Sequence, residues 1–137
     1  MARISEIDLT NMVMVYREDG SFLVQMREKN DWPGINFPGG HIEDNETTEE
    51  SAVREIREET GLEIRDLEPC GYFEWNVPNA KIRYMSLLFR TKTFSGELHP
   101  SKEGKVFWIK EKDLGKYPLS TDFDKVLSIM KRGLSLD

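Results

Sequence analysis

The sequence contains a single cysteine, Cys70, among 137 residues. One thiol can neither close an internal disulfide nor build a cysteine-rich metal site, so a reducing cytoplasm is the expected location. Long apolar runs are also missing. Stretches such as Leu87-Leu88-Phe89 are far too short to span a bilayer, and Met1 to Leu9 has no apolar signal core, so no membrane association is expected. There is no excess of basic residues. Nineteen Lys+Arg face 25 Asp+Glu, giving a formal charge of −6 and a pI near 5.1, which argues against binding polymeric nucleic acid. Low-complexity tracts, internal repeats and Gly/Ser linkers are absent, so one domain over residues 1–137 is expected. The composition, 38% hydrophobic and 32% charged, suits a folded domain with one core.

Short β-prone runs cover Asn11 to Tyr16 and Phe22 to Arg27, the second alternating with Phe22, Val24 and Met26 on one side. Asp19-Gly20 between them is a hairpin signal. Ile35 to Phe37 is a further strand candidate, and Pro38-Gly39-Gly40 reads as a stop. Thr47 to Thr60 reads as a helix: Thr47 with Glu50 fits a capping box, and Gly61 supplies the C-terminal stop. Strands are expected at Cys70 to Trp75, Ile82 to Phe89 and Val106 to Ile109, with a turn at Pro78-Asn79. A last amphipathic helix covers Phe123 to Arg132, with Phe123, Val126, Leu127 and Met130 on one face. Cys70, within a strand, is expected to be buried rather than reactive. The order predicts an α+β domain, a mixed sheet with helices packed on it.

The most unusual segment runs from Gly39 to Leu62. Between Glu43 and Glu59 it holds seven glutamates and Asp44. At about 100° per residue, Glu55, Glu58 and Glu59 project from one narrow stripe of the helix. Ala52, Val53, Ile56 and Thr60 form a neighbouring stripe that can face the core. Glu55 and Glu59 are a like-charge i,i+4 pair, and Glu58 and Glu59 sit at the unfavourable end of the helix dipole. Two readings compete. One is a solvated face with local ion pairs, Arg54 to Glu58 and Arg57 to Glu50 or nearby loops. The other is a hard cation held by carboxylates, with Mg²⁺ the best fit because it takes one or two carboxylates together with substrate phosphates.

The spacing favours the second reading. Gly40, five residues, Glu46, seven residues and then Arg54-Glu55-Ile56-Arg57-Glu58-Glu59-Thr60-Gly61-Leu62 resembles the Nudix box at all nine of its defined positions. The match covers residues 40–62, and the element order around it resembles a MutT-like Nudix domain across nearly the whole chain. The resemblance implies an α/β/α sandwich with a mixed sheet and the Nudix loop-helix-loop. It also implies hydrolysis of a diphosphate bond in a nucleoside diphosphate derivative, with Mg²⁺ or Mn²⁺. Glu58 and Glu59 would be the principal metal ligands, Glu55 a further ligand or the group orienting water, and the Gly39 carbonyl a backbone ligand. Arg54 would pair with acids such as Glu46 and fix the loop on the helix, with Gly61 closing it. Glu103, in Ser101-Lys102-Glu103-Gly104, resembles a loop carboxylate that supplies an extra ligand or base.

For substrate, Arg27 resembles an arginine that contacts nucleotide, and His41 stands where a phosphate contact is expected next to Gly40. Trp32, Phe37, Trp75, Tyr84 and Phe123 are stacking candidates as well as core candidates. Thr121 and Asp122 resemble the loop that reads an oxidised guanine edge, although MutT carries an asparagine near the Thr121 position. The expectation is hydrolysis of a nucleoside triphosphate to monophosphate and pyrophosphate, with 8-oxo-dGTP or another damaged dNTP as the named substrate. The alternative is an ADP-ribose or ADP-sugar pyrophosphatase, a subgroup with a proline marker where Pro78 falls, 16 residues beyond Leu62. A non-catalytic nucleotide-sensing module is the alternative outside enzymes. A homodimer is left open.

Overall fold

Strand β1 (Ile7–Val15) organises the molecule, because both of its faces are covered. Val13 and Val15 pack with Leu23 and Phe89 under Ala52 and Ile56 of helix α1 (Thr48–Thr60). Met14, between them in sequence, packs with Phe22 and Leu88 under Phe123, Val126 and Leu127 of helix α2 (Phe123–Met130). The two-residue period of the strand thus feeds two apolar clusters, one per helix. This computed structural model describes residues 1–27, 33–99 and 104–136.

The remaining strands are β2 (Phe22–Arg27), β3 (Gly34–Asn36), β4 (Gly39–His41), β5 (Glu63–Arg65), β6 (Glu68–Trp75), β7 (Arg83–Thr91), β8 (Thr93–Ser95) and β9 (Gly104–Ile109). They form a four-stranded sheet in the order β4-β1-β7-β6, a three-stranded sheet β3-β2-β9 and a short pair β5-β8. β1 and β7 are parallel and every other pairing of these strands is antiparallel among the described residues, so the larger sheet is mixed. A 3₁₀ turn (Glu111–Lys116) leads toward α2.

Several boundaries differ from expectation. β1 begins at Ile7 rather than Asn11, because pairing with β7 from Ile7↔Arg83 onward carries the polar Asp8 and Thr10. The Asp19-Gly20 turn exists, with Gly20 at φ 88°, but it joins strands of different sheets and leaves only a Tyr16↔Phe22 bridge between them. The strand at Ile35 does end before Pro38, at Asn36, but Gly39 and Gly40 are not loop. β4 forms there because β1 approaches so closely that a Cβ on Gly39 would lie 2.0 Å from the Asn11 carbonyl oxygen. Glycine is what allows that pairing.

The helix signals act as read. The Thr47 hydroxyl accepts the Glu50 N–H at 3.1 Å, and the Glu50 carboxylate accepts the Thr47 N–H at 2.8 Å. Gly61 is left-handed and its N–H donates to the Arg57 carbonyl. The expected apolar face of α2 is buried. Cys70 is half-buried, and burial pushes its thiol up to about 11. No helix among the described residues is long and apolar enough to cross a membrane.

Arg90, on β7, closes the C-terminal end of α2. Its Nη1 donates to the Met130 carbonyl at 3.0 Å and the Arg132 carbonyl at 2.6 Å, while Nε and Nη2 hold Glu68. Arg90→Met keeps the buried stem and removes these bonds, and should destabilise the fold by about 2 kcal/mol. Urea unfolding should show the loss, with faster amide exchange confined to the last turn of α2.

Candidate active site

Helix α1 carries its acids at three depths. Glu59 is 8% exposed and its Oε2 accepts the Gly39 N–H at 2.8 Å. The Glu55 side chain is 15% exposed, and a Cβ on Gly40 would lie 2.6–2.7 Å from its carboxyl atoms. Glu58 is 59% exposed. The three do not share one environment: the helix's rotation puts Glu59 on its buried side, beside Ile56 and Thr60.

Arg54 ties the stretch together. Its Nε and Nη2 take the two Glu46 oxygens at 3.0 and 2.7 Å, a bidentate pair. Nη2 also donates to the His41 carbonyl at 3.2 Å. Nη1 reaches Glu55 at 3.0 Å and Glu58 at 3.2 Å. The Arg54–Glu46 and Arg54–Glu58 pairings are the ones the sequence implied. Arg57 pairs instead with Glu63 on β5. Hydrogen bonds from Arg54 and from the Glu43 N–H hold the Glu46 carboxyl at about 2. Glu55 is shifted the other way. Burial raises its pKa, Arg54 opposes the rise, and the nearby charges of Glu58 and Glu43 add to it.

A cavity of about 810 Å³ opens between the two larger sheets at this end of α1. One wall carries Gly39, Gly40, His41, Glu43, Glu55 and Glu59. A second wall, from β2 and β3, carries Gln25, Arg27 and Asn36. Phe37, Trp75 and Tyr84 add aromatic surface. The His41 Nε2 lies 2.9 Å from an Asp8 carboxylate oxygen, so the ring is held across β4 and β1. Of the residues expected in the site, Arg27, Gly39, Gly40, His41, Glu55 and Glu59 meet here.

Glu58, Thr121 and Asp122 are not in the lining. Glu58 faces outward toward Arg54. Thr121 accepts the Trp75 indole N–H through its carbonyl at 3.5 Å, and Asp122 begins α2 in a left-handed conformation with Lys125 at 3.4 Å. Phe123 stacks on Phe37 with centroids 4.7 Å apart, as core. Glu103 and Trp32 lie outside the described residues. Sequence reasoning missed Asn11, Gln25 and Asn36. Their only signal was an amide interrupting an apolar strand run.

No group of three His, Cys, Asp or Glu side chains gathers as a metal site among the described residues. The donor chemistry nevertheless suits a hard cation. Glu55 and Glu59 offer only oxygen to one cavity, and Glu55 is desolvated beside like charges. Two carboxylates completed by substrate phosphates is the usual Mg²⁺ arrangement.

The NUDIX domain model matches residues 8–128. The chain belongs to the Nudix family. It is 28% identical over 132 residues to the uncharacterized Nudix hydrolase YvcI of Bacillus subtilis, covering 93% of this chain and 81% of that one. It is 31% identical over 118 residues to the ADP-ribose pyrophosphatase of Methanocaldococcus jannaschii, covering 82% and 67%. The crystal structure of a MutT Nudix hydrolase from Burkholderia pseudomallei superposes with a TM-score of 0.79 at 20% identity, over 90% of this chain and 98% of that one. The expected α+β Nudix fold therefore stands.

The Nudix Glu46 carboxyl is lowered in the folded state, so its stabilisation is complete above its unfolded value near 4.5 and is lost as pH falls toward 2. Glu46→Gln should remove part of the acid-induced fall in melting temperature between those limits. An unchanged slope in a pH series of thermal melts would contradict the pairing.

Proposed function

We propose that this Nudix hydrolase cleaves a nucleoside triphosphate to monophosphate and pyrophosphate, with 8-oxo-dGTP or another damaged dNTP as the first substrate to test. The observation that carries this reading is one cavity with acids on one wall and amides with aromatic rings on the others. Such a site can take a diphosphate at one end and a base at the other. Glu55 and Glu59, with Glu58 and the Gly39 carbonyl by their place in the box, would hold Mg²⁺ or Mn²⁺. The cation would neutralise phosphate charge when bound. Burial raises the proton affinity of Glu55, which suits it to take a proton from the attacking water. Gly40 leaves room for that carboxylate. Arg27 and His41 would contact the sugar or phosphates, and Glu103 would add a further carboxylate. Thr121 and Asp122 stand outside the described cavity and would reach the base only from its Trp75 rim.

Glu55, Glu58 and Glu59 are all present, which favours catalysis over a sensing module. The working picture is a cytoplasmic enzyme with a nucleotide as its partner, no polymeric nucleic acid and no membrane. ADP-ribose hydrolysis is the second reading, favoured by the 31% identity to the Methanocaldococcus jannaschii enzyme.

The deciding experiment offers oxidised and normal dNTPs, ADP-ribose and dinucleoside polyphosphates and records pyrophosphate against phosphate release. Turnover of dNTPs with pyrophosphate as product is expected. Turnover of ADP-ribose alone would overturn the triphosphate reading. Glu58→Gln should lower turnover by about a hundredfold or more with the melting temperature nearly unchanged, because the side chain is exposed and its loss relieves like-charge repulsion. Near-wild-type turnover in saturating Mg²⁺ would remove Glu58 from the metal site.

A further inference from the structure

β2 pairs with β9 from Phe22↔Ile109 to Arg27↔Gly104. The candidate active site uses the Arg27 end. A second cavity, of about 410 Å³, is built at the other end, about 17 Å away along the strand, and shares no lining residue with the first. Four cations border it, Arg17, Lys110, Lys112 and Lys116, against two carboxylates, Asp19 and Asp113. In a chain of net charge −6 this is a local reversal of sign. Lys116 pairs with Asp113 at 3.0 Å. Lys110 and Lys112 join no ion pair among the described residues, and the Lys110 charge acts on both acids. Arg17 is held in place without being neutralised. Its guanidinium lies 4.1 Å over the Trp108 ring, and its Nε donates to the Ser21 hydroxyl oxygen at 2.8 Å. Ser21, 3% exposed, donates its own hydroxyl and N–H to one Asp19 oxygen at 2.6 and 2.9 Å. The other Asp19 oxygen is left 3.9 Å from Nη2, beyond hydrogen-bond reach, and the Arg17 side chain stays 39% exposed. Neither Nη makes a hydrogen bond among the described residues, so a fixed fork presents two outer donors to solvent.

We propose that this cavity is a second anion site, which binds a phosphate group without a metal ion. The donors match that chemistry. A planar guanidinium meets two phosphate oxygens side by side, and the lysine ammoniums add point charge. Four cations less two carboxylates leave an excess of two positive charges, which a phosphate dianion offsets and a single carboxylate does not. The active-site cavity has the opposite requirement, because Glu43, Glu55 and Glu59 repel phosphate until a cation is bound. Chelation therefore separates the two sites. The phosphate arrives free or as the end of a monoester. Tyr117, 39% exposed beside the cavity, is the flat surface on which the rest of a monoester would lie.

The test is an amide NMR titration of the full chain in EDTA at constant ionic strength, with inorganic phosphate and, separately, with AMP. Phosphate should give saturable shifts at residues 17–21 and 108–117, with Gly39 to His41 unmoved. Lys110→Gln should weaken that binding roughly tenfold and leave the ligand-free melting temperature unchanged, because Lys110 holds no ion-pair partner. Arg17→Gln should weaken it at least as much. Where that variant loses stability with the Trp108 contact, Lys110→Gln carries the result. Tighter saturation of the same shifts by AMP than by phosphate identifies a monoester as the source, and equal or weaker saturation identifies the free anion; either upholds the site. Shifts that stay linear in phosphate, that move to Gly39 to His41, or that are the same in Lys110→Gln would each overturn it. Turnover is not read, so loss of the triphosphate reading would leave this inference standing.

Discussion

Between residues 43 and 59 the chain collects seven glutamates and Asp44, and the Arg54 guanidinium is what lets them share so little space. Its planar fork meets the planar carboxylate of Glu46 in two bonds, and the same group reaches the His41 carbonyl, Glu55 and Glu58. A lysine could supply the charge but not five donors in fixed directions. Through Arg54 the loop, strand β4 and helix α1 are held in one arrangement. The position of Glu55 beside Gly40 depends on that arrangement, and with it the shape of one cavity wall.

Much of the fold was legible before any coordinates. Helix α1 announced itself through Thr47, Glu50 and Gly61 because capping is local chemistry, decided within a few residues. The core face of α2 was legible because its period has no competing pattern. The elements that escaped are those created by distant pairing. Ile7 to Thr10 becomes strand through β7, more than 70 residues away. The β5–β8 pair is three residues on each side and carries no alternation to read. Gly39 and Gly40 resemble a turn in isolation, and only the approach of β1 makes them strand.

The site divides in the same way. The box residues were found because a nine-position spacing is written along one helix and its loop. The spacing cannot give depth, so the different burial of Glu55, Glu58 and Glu59 was invisible. The amides of Asn11, Gln25 and Asn36 lie in three different strands, and nothing local says that they meet. Thr121 and Asp122 follow from the resemblance alone, and their backbone carbonyls carry the Trp75 contact and the start of α2.

The two walls of the cavity belong to different sheets: Gly39 to His41 extend the β4-β1-β7-β6 sheet, while Gln25, Arg27 and Asn36 belong to β3-β2-β9. Among the described residues the strand ladders of the two meet only at the Tyr16↔Phe22 bridge, and packing such as that of Leu23 with Val13 does the rest of the joining. An exchange at the cavity face of β2 or β3 breaks none of the ladder hydrogen bonds that hold Gly39 to His41. Such a division separates heredity of chemistry from heredity of preference. One lineage of this fold can hold its acid wall constant and explore new ligands through a handful of positions on the facing strands.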